Sequence, residues 1–247
     1  APAAGGAVER RLRARLVARV NAPTVEPLVL QADNHLLALA KPAGMPSVPD
    51  ESGDRSLFEW AKAWVKREKE KPGAVFLGVV HRLDRPVSGI VVFARTSKGA
   101  ARLSEAFRSR AVEKLYWGVS ASAPREAEGV LEQWLLKDEA RNLVRAVAGE
   151  RPGAQLARTR WRVLARADGR VLLEFRPETG RPHQLRVCAA TLGSALLGDF
   201  KYGARTPLAD KSIALHARAL EFPHPTKQER VRLECDPPSL PEWRFPG

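Results

Sequence analysis

From Leu28 onward the chain alternates short apolar runs with turn-prone breaks. LVLQAD and LLALAKPAG flank Asp33-Asn34-His35 and predict a β-hairpin. A helix is expected near Ser56 to Lys69, where Leu57, Ala61, Trp64 and Val65 share a face and lysines and glutamates crowd the end. A strand ending at Val80, the segment HRLDRPVSG and the strand IVVFART follow, with Ser97 expected to cap a helix through Ala100, Leu103 and Phe107. The second half reads mainly as strands: VEKLYWGVS, a stretch around GVLEQWLL, TRWRVLAR, RVLLEF, IALHARALEF and ERVRLEC. One helix is expected among them, beginning near Arg181 to Gln184 and carrying Leu185 to Leu192. Strands that outnumber helices without regular alternation predict an α+β fold with a mixed, largely antiparallel sheet.

Before this pattern, Val8, Leu12, Leu16 and Val20 recur at helical spacing among Arg10, Arg11, Arg13, Arg15 and Arg19. They predict a short basic helix that either touches phosphates or packs on the domain with a solvated arginine face. The expected organisation is therefore a basic extension over residues 1–27 and one catalytic domain over residues 28–247, without repeats, low-complexity blocks or a clear linker.

Composition narrows the class. A chain of 247 residues with 44% hydrophobic and 28% charged residues has the balance of a packed globular protein. Its 41 lysines and arginines against 28 acids leave a net charge of +13, which favours nucleic acid through counterion release, although such charge also keeps a protein soluble. Two distant cysteines, Cys188 and Cys235, make neither a zinc site nor a disulfide framework, so a reducing, cytoplasmic setting is expected. No apolar stretch suits a bilayer, and the start lacks a secretory apolar run; being arginine-rich with Glu9 its one acid, it leaves organellar targeting open.

Three blocks carry a resemblance: KPAGMPSVP over Lys41–Pro49; HRLDRPVSGIVVFART over His81–Thr96; and ETGRPHQLRVCAATLGSALLGDFKYG over Glu178–Gly203, followed by LHARALEFPHP over Leu215–Pro225. Together, in this order, they resemble the RluA-type family of RNA pseudouridine synthases, over most of the chain from Leu28 to Leu233. The resemblance implies the pseudouridine synthase fold, with helices and loops around an RNA-binding cleft. It implies a monomer that isomerises uridine to pseudouridine in structured RNA, ribosomal or transfer, without cofactor or metal.

By the same resemblance Asp84 is the catalytic aspartate and Arg186 its ion-pairing partner, whose guanidinium geometry suits two parallel hydrogen bonds to a carboxylate. Tyr116 would stack on the uracil and act as the base for the last ring proton. Arg82 would push into the RNA stack as the target base is extruded, and Leu215 would wall the uracil. His81, Arg181 and His183 would shape loops or meet phosphates. Taken singly, each has a plainer use: an ion-paired loop carboxylate, phosphate contacts, a core aromatic, a core leucine. The chain departs from the family pattern at Cys188, where relatives often carry histidine, and at Val87, where threonine is frequent.

Other chemistries lack their residues. No second acid is expected to flank a scissile bond opposite Asp84 as a glycoside hydrolase would need, no His-Glu and Cys-x-x-Cys pair marks a zinc deaminase, and no glycine-rich phosphate loop occurs. The competing class is a non-catalytic RNA-binding or RNA-folding protein on the same scaffold, and retention of Asp84, Tyr116 and Arg186 together speaks against it.

Overall fold

The structure, a computed structural model, describes residues 26–68, 73–205 and 207–246. The basic helix expected over Val8–Val20 lies outside the described residues. Within them, no helix is long and apolar enough to cross a membrane.

Among the described residues eleven strands form one sheet. In chain order they are β1 (Leu28–Ala32), β2 (Leu36–Lys41), β3 (Gly78–Val79), β4 (Ser88–Ala94), β5 (Glu113–Ser120), β6 (Glu128–Asp138), β7 (Leu143–Val147), β8 (Ala154–Ala167), β9 (Arg170–Pro177), β10 (Leu215–Pro223) and β11 (Arg230–Glu234). Three α-helices among the described residues accompany them: α1 (Leu57–Glu68), α2 (Ser97–Arg108) and α3 (Gln184–Thr191). The main path runs β1-β2-β4-β10-β5-β9-β8-β6-β7, with β11 paired to β10 and β3 to β4. All pairings are antiparallel except β10 with β4, where His216 lies beside Ser88 and Ala217 beside Gly89. The expected mixed, largely antiparallel α+β sheet is what forms.

The inner strands β2 and β4 are apolar on both faces because both are covered. On one face Leu37, Leu39, Val91 and Phe93 pack with Leu57, Trp60 and Val65 of α1 and with Leu185 and Cys188 of α3. On the other, Leu36, Ala38, Ile90 and Val92 pack with Leu103 of α2 and with Phe222 and Leu233. Each such fully buried side chain contributes about 1.5–3 kcal/mol.

Local chemistry starts the helices where the pattern predicted, with one shift. Ser56 and Glu59 form a capping box: the Glu59 N–H donates to Ser56 Oγ at 3.2 Å, and the Ser56 N–H donates to Glu59 Oε2 at 2.9 Å. At α2 the cap is Thr96 rather than the expected Ser97. Thr96 is extended (φ −140°, ψ 154°) and its Oγ1 accepts the Gly99 N–H at 3.0 Å, so Ser97 is already inside the helix.

The sequence did not show β7. The strand expected around GVLEQWLL forms as β6, and β7 returns beside it as a hairpin that widens the sheet. Leu135 and Val144 from this hairpin pack against Val187 and Tyr202, so it supports the helix that carries Arg186.

Candidate active site

Register brings the site together. Because β10 runs parallel to β4, Leu215 at the start of β10 lies near the beginning of β4, just after the Asp84 turn. On the other side of β10, Ala217 pairs with Tyr116 of β5, and Tyr116 pairs with Phe175 of β9. Strand β9 ends at Pro177, and the loop after it leads into α3 with Arg186. Asp84, Tyr116, Arg186, Arg82, Leu215, Arg181 and His183 all line one cleft of about 550 Å³, including the space open to solvent. The eighth expected residue, His81, lies in an adjoining groove. Its Nε2 accepts the Val92 N–H at 2.9 Å and its ring stacks on Phe107 at 4.6 Å between centroids. Burial pulls its pKa down to about 4, so this ring is neutral and shapes the segment leading to Asp84.

The first sequence block explains how Asp84 is held. Lys41, 1% exposed, donates from Nζ to the carbonyls of Pro42 (3.0 Å), Met45 (2.8 Å) and Arg85 (3.1 Å). Gly44 N–H donates to the same Arg85 carbonyl at 2.8 Å, and its positive φ of 83° makes glycine the suited residue there. On the other side Ser47 Oγ donates to the Leu83 carbonyl (2.7 Å) and accepts the Leu83 N–H (3.1 Å). The backbone on either side of Asp84 is thus gripped by the loop after β2. A turn closed by the Val87 N–H donating to the Asp84 carbonyl at 3.0 Å then leads the chain into β4.

The carboxylate meets Arg186 as expected, but not by the geometry expected. Arg186 Nη1 donates a single hydrogen bond to Asp84 Oδ2 at 3.0 Å. The two parallel bonds go instead to Asp199, from Nε to Oδ2 at 2.8 Å and from Nη2 to Oδ1 at 2.7 Å. A bidentate pair fixes the plane of a guanidinium, so Asp199 aims the remaining N–H at Asp84. Burial by itself would lower the Arg186 pKa; the hydrogen bonds and charge of Asp199, with those of Asp84, outweigh it and push the pKa up. The guanidinium also sits 5.0 Å from the centroid of the Tyr202 ring.

His183 completes this side. It takes a left-handed conformation (φ 50°) at the start of α3, uncommon for a non-glycine residue, and its Nε2 lies 3.8 Å from Asp84 Oδ2, beyond a hydrogen bond. Its Nδ1 is 2.7 Å from the Tyr202 hydroxyl, whose oxygen accepts the Val144 N–H at 2.9 Å. The Tyr202 hydroxyl thus bridges the β7 backbone and the His183 ring. Burial lowers the His183 pKa, with Asp84 pulling the opposite way and Arg186 reinforcing the fall.

Buried Gln184 anchors the loop before α3. Its Nε2 donates to the Arg158 carbonyl (3.1 Å) and Thr159 Oγ1 (2.9 Å), while its Oε1 accepts from Thr179 Oγ1 (2.8 Å) and the Arg181 N–H (3.0 Å). Arg181 Nε is bound to the Leu156 carbonyl at 3.0 Å. Arg82 is exposed at the cleft rim, whereas Leu215 is 4% exposed and forms part of the wall.

Burial first, then the charge of Asp84, raises the Tyr116 pKa well above that of a free phenol. The Tyr116 ring lines the cleft, where its apolar face is available for stacking. Four further site residues were missed: Lys41, Asp199, Tyr202 and Lys114. Asp199 and Tyr202 stood inside GDFKYG, and Lys41 opened KPAG, so block membership was the available signal.

A family profile described as RNA pseudouridylate synthase matches residues 35–191, which span both Asp84 and Arg186. This chain belongs to the RluA-type family of RNA pseudouridine synthases. An uncharacterized RNA pseudouridine synthase of Zymomonas mobilis is 39% identical over 202 residues, covering 81% of this synthase and 89% of the relative. The ribosomal large subunit pseudouridine synthase C of Vibrio parahaemolyticus is 31% identical over 85% of this chain and 66% of its own length. Among solved structures, human RNA pseudouridylate synthase domain containing 4 superposes with a TM-score of 0.72 at 25% identity, covering 93% of this synthase and 94% of that chain.

Proposed function

We propose that this synthase converts a uridine of ribosomal RNA to pseudouridine, with Asp84 as the catalytic carboxylate. The observation that carries the proposal is the 3.0 Å contact of Arg186 with Asp84 in a cleft that also holds Tyr116. The reaction breaks the bond between ribose C1′ and uracil N1, turns the base, forms the bond from C1′ to C5, and transfers the equivalent of one proton from C5 to N1. It is redox-neutral and conserves every atom, so the chain has to supply a charged group, a surface for the loose base and shelter from water.

Asp84 supplies the charge. Arg186 donates a hydrogen bond to it, and Asp199 keeps Arg186 directed at it. Val87, Leu215 and the Tyr116 ring supply apolar wall against which a planar base is held while detached. A base inside a stem has to leave its stack to enter the cleft, and the exposed side chain of Arg82 at the rim supports assigning it to fill the gap. The assignment to ribosomal RNA is supported by the Vibrio relative, whose name specifies the large ribosomal subunit.

The test is chemical mapping of pseudouridine in ribosomal RNA incubated with the parent and with Asp84→Asn. We expect one uridine to be converted by the parent, none by the variant, and RNA affinity to agree within about threefold. Equal product from both proteins removes Asp84 from its role.

A further inference from the structure

The space for substrate does not end at Tyr116. Beyond it a groove of about 1220 Å³, open to solvent, runs between the end of α2 and residues 178–181, and Arg82, Lys114, Tyr116 and Arg181 line both it and the cleft. Arg108 and Arg110 extend it outward.

The charge of this groove is not neutralised from within. Arg82, Arg110, Lys114 and Arg181 make no ion pair among the described residues. Arg108 is paired with Glu105 at 2.8 Å. The one carboxylate in the lining, Glu178, is engaged by Arg158 at 3.0 Å and Arg160 at 2.8 Å. Lys114 lines the groove, and its Nζ makes a single hydrogen bond among the described residues, to the Thr179 carbonyl at 3.0 Å, short of the three an ammonium can donate. Burial, then the charge of Arg110, lowers its pKa to about 8, the mark of an ammonium that an anion would relieve. Arg110 holds a left-handed conformation (φ 62°) that glycine or asparagine adopts at less cost. The Arg110 conformation belongs to the end of α2, where the Ala111 N–H donates to the Ala106 carbonyl at 2.9 Å, and it sets Arg110 beside the half-buried, acid-free Lys114 in the groove lining.

We infer that this groove is a phosphodiester subsite, in which Lys114 meets the phosphate beside the target uridine and Arg110 the next along the strand. The subsite rests on the cleft being the uridine site, since Lys114 stands at the junction of the two. It also gives the RNA a direction, leaving the cleft past the end of α2. A free mononucleotide engages Lys114 alone, whereas an oligonucleotide reaches Arg110.

The inference is tested by filter binding of large-subunit ribosomal RNA and of bulk transfer RNA to the full chain across a potassium chloride series. The proteins compared are the parent, Arg110→Ala, Arg110→Lys, Lys114→Gln and Arg166→Ala. Each lost phosphate contact flattens the plot of log affinity against log salt by about 0.7–0.9. Arg110→Ala and Lys114→Gln are each expected to lose that much with either RNA, while Arg110→Lys keeps the parental slope. Arg166 is exposed, and it pairs with Val171, four residues along β9 from the Phe175 that neighbours Tyr116, so its variant serves as the remote control. Slopes within about 0.2 of the parent for both groove variants, or losses no larger than that of Arg166→Ala, overturn the subsite. Such a result leaves the role of Asp84 standing, because that role is read from product and not from binding.

Discussion

Two carboxylates contact Arg186, and they stand in opposite environments. The Asp199 side chain is 1% exposed and takes two hydrogen bonds from the guanidinium, while that of Asp84 is 33% exposed and takes one. Asp199→Ala removes both acceptors of a buried fork and leaves Nε and Nη2 without partners. Breaking a buried pair from one side costs about 3–5 kcal/mol. With a urea dependence of about 3 kcal/mol per molar, the unfolding midpoint falls by roughly 1–1.7 M. Asp84→Asn disturbs a partly solvated contact and costs about 1 kcal/mol or less, a midpoint change of roughly 0.3 M at most. Thermal midpoints follow, with a loss of roughly 6–20 °C for Asp199→Ala. The double variant Arg186→Met/Asp199→Leu recovers much of that stability, since apolar groups of similar volume replace a buried ion pair at little cost. Urea unfolding followed by tryptophan fluorescence measures all four proteins. Equal midpoint losses for Asp199→Ala and Asp84→Asn refute the assignment of Asp199 as the structural anchor and Asp84 as the free, reactive partner.

Gly89 has φ +116°, and a Cβ there would lie 2.5 Å from both the amide nitrogen and the carbonyl oxygen of Ala217. Gly89→Ala is therefore expected to force β10 from β4 at a cost of about 3 kcal/mol or more, seen as a lowered thermal midpoint with loss of product; an unchanged midpoint contradicts the close approach. Lys41 yields a pH dependence. Burial first, offset by Asp84 and reinforced by Arg85, lowers its pKa from 10.5 to about 7. Between these values the unfolded chain holds the extra proton, so stability from this group is present in full above 10.5 and is lost as pH falls toward 7, by up to about 1.4 kcal/mol per unit. Urea midpoints of the parent and Lys41→Met at pH 7, 8 and 9 should diverge in slope, the parent rising more steeply; parallel slopes refute the depressed pKa.

What the chain determines by itself is whatever depends on neighbours in sequence. The hairpin around Asp33, α1 with its Ser56–Glu59 box, the apolar runs of β2 and β4 and the start of α3 were legible, because turn chemistry, helical spacing and caps act over a few residues. The eight expected site residues were legible as members of separated blocks, and seven converge on one cleft. What only the tertiary structure decided is pairing over long range. The parallel contact of β10 with β4, the hairpin of β6 and β7 beneath α3, and the choice of Asp199 over Asp84 as the bidentate partner each join segments whose proximity no local pattern encodes. A guanidinium offers the same fork to any carboxylate. Which one receives it depends on burial and on the distances that packing sets, and these exist only once the sheet has closed its register.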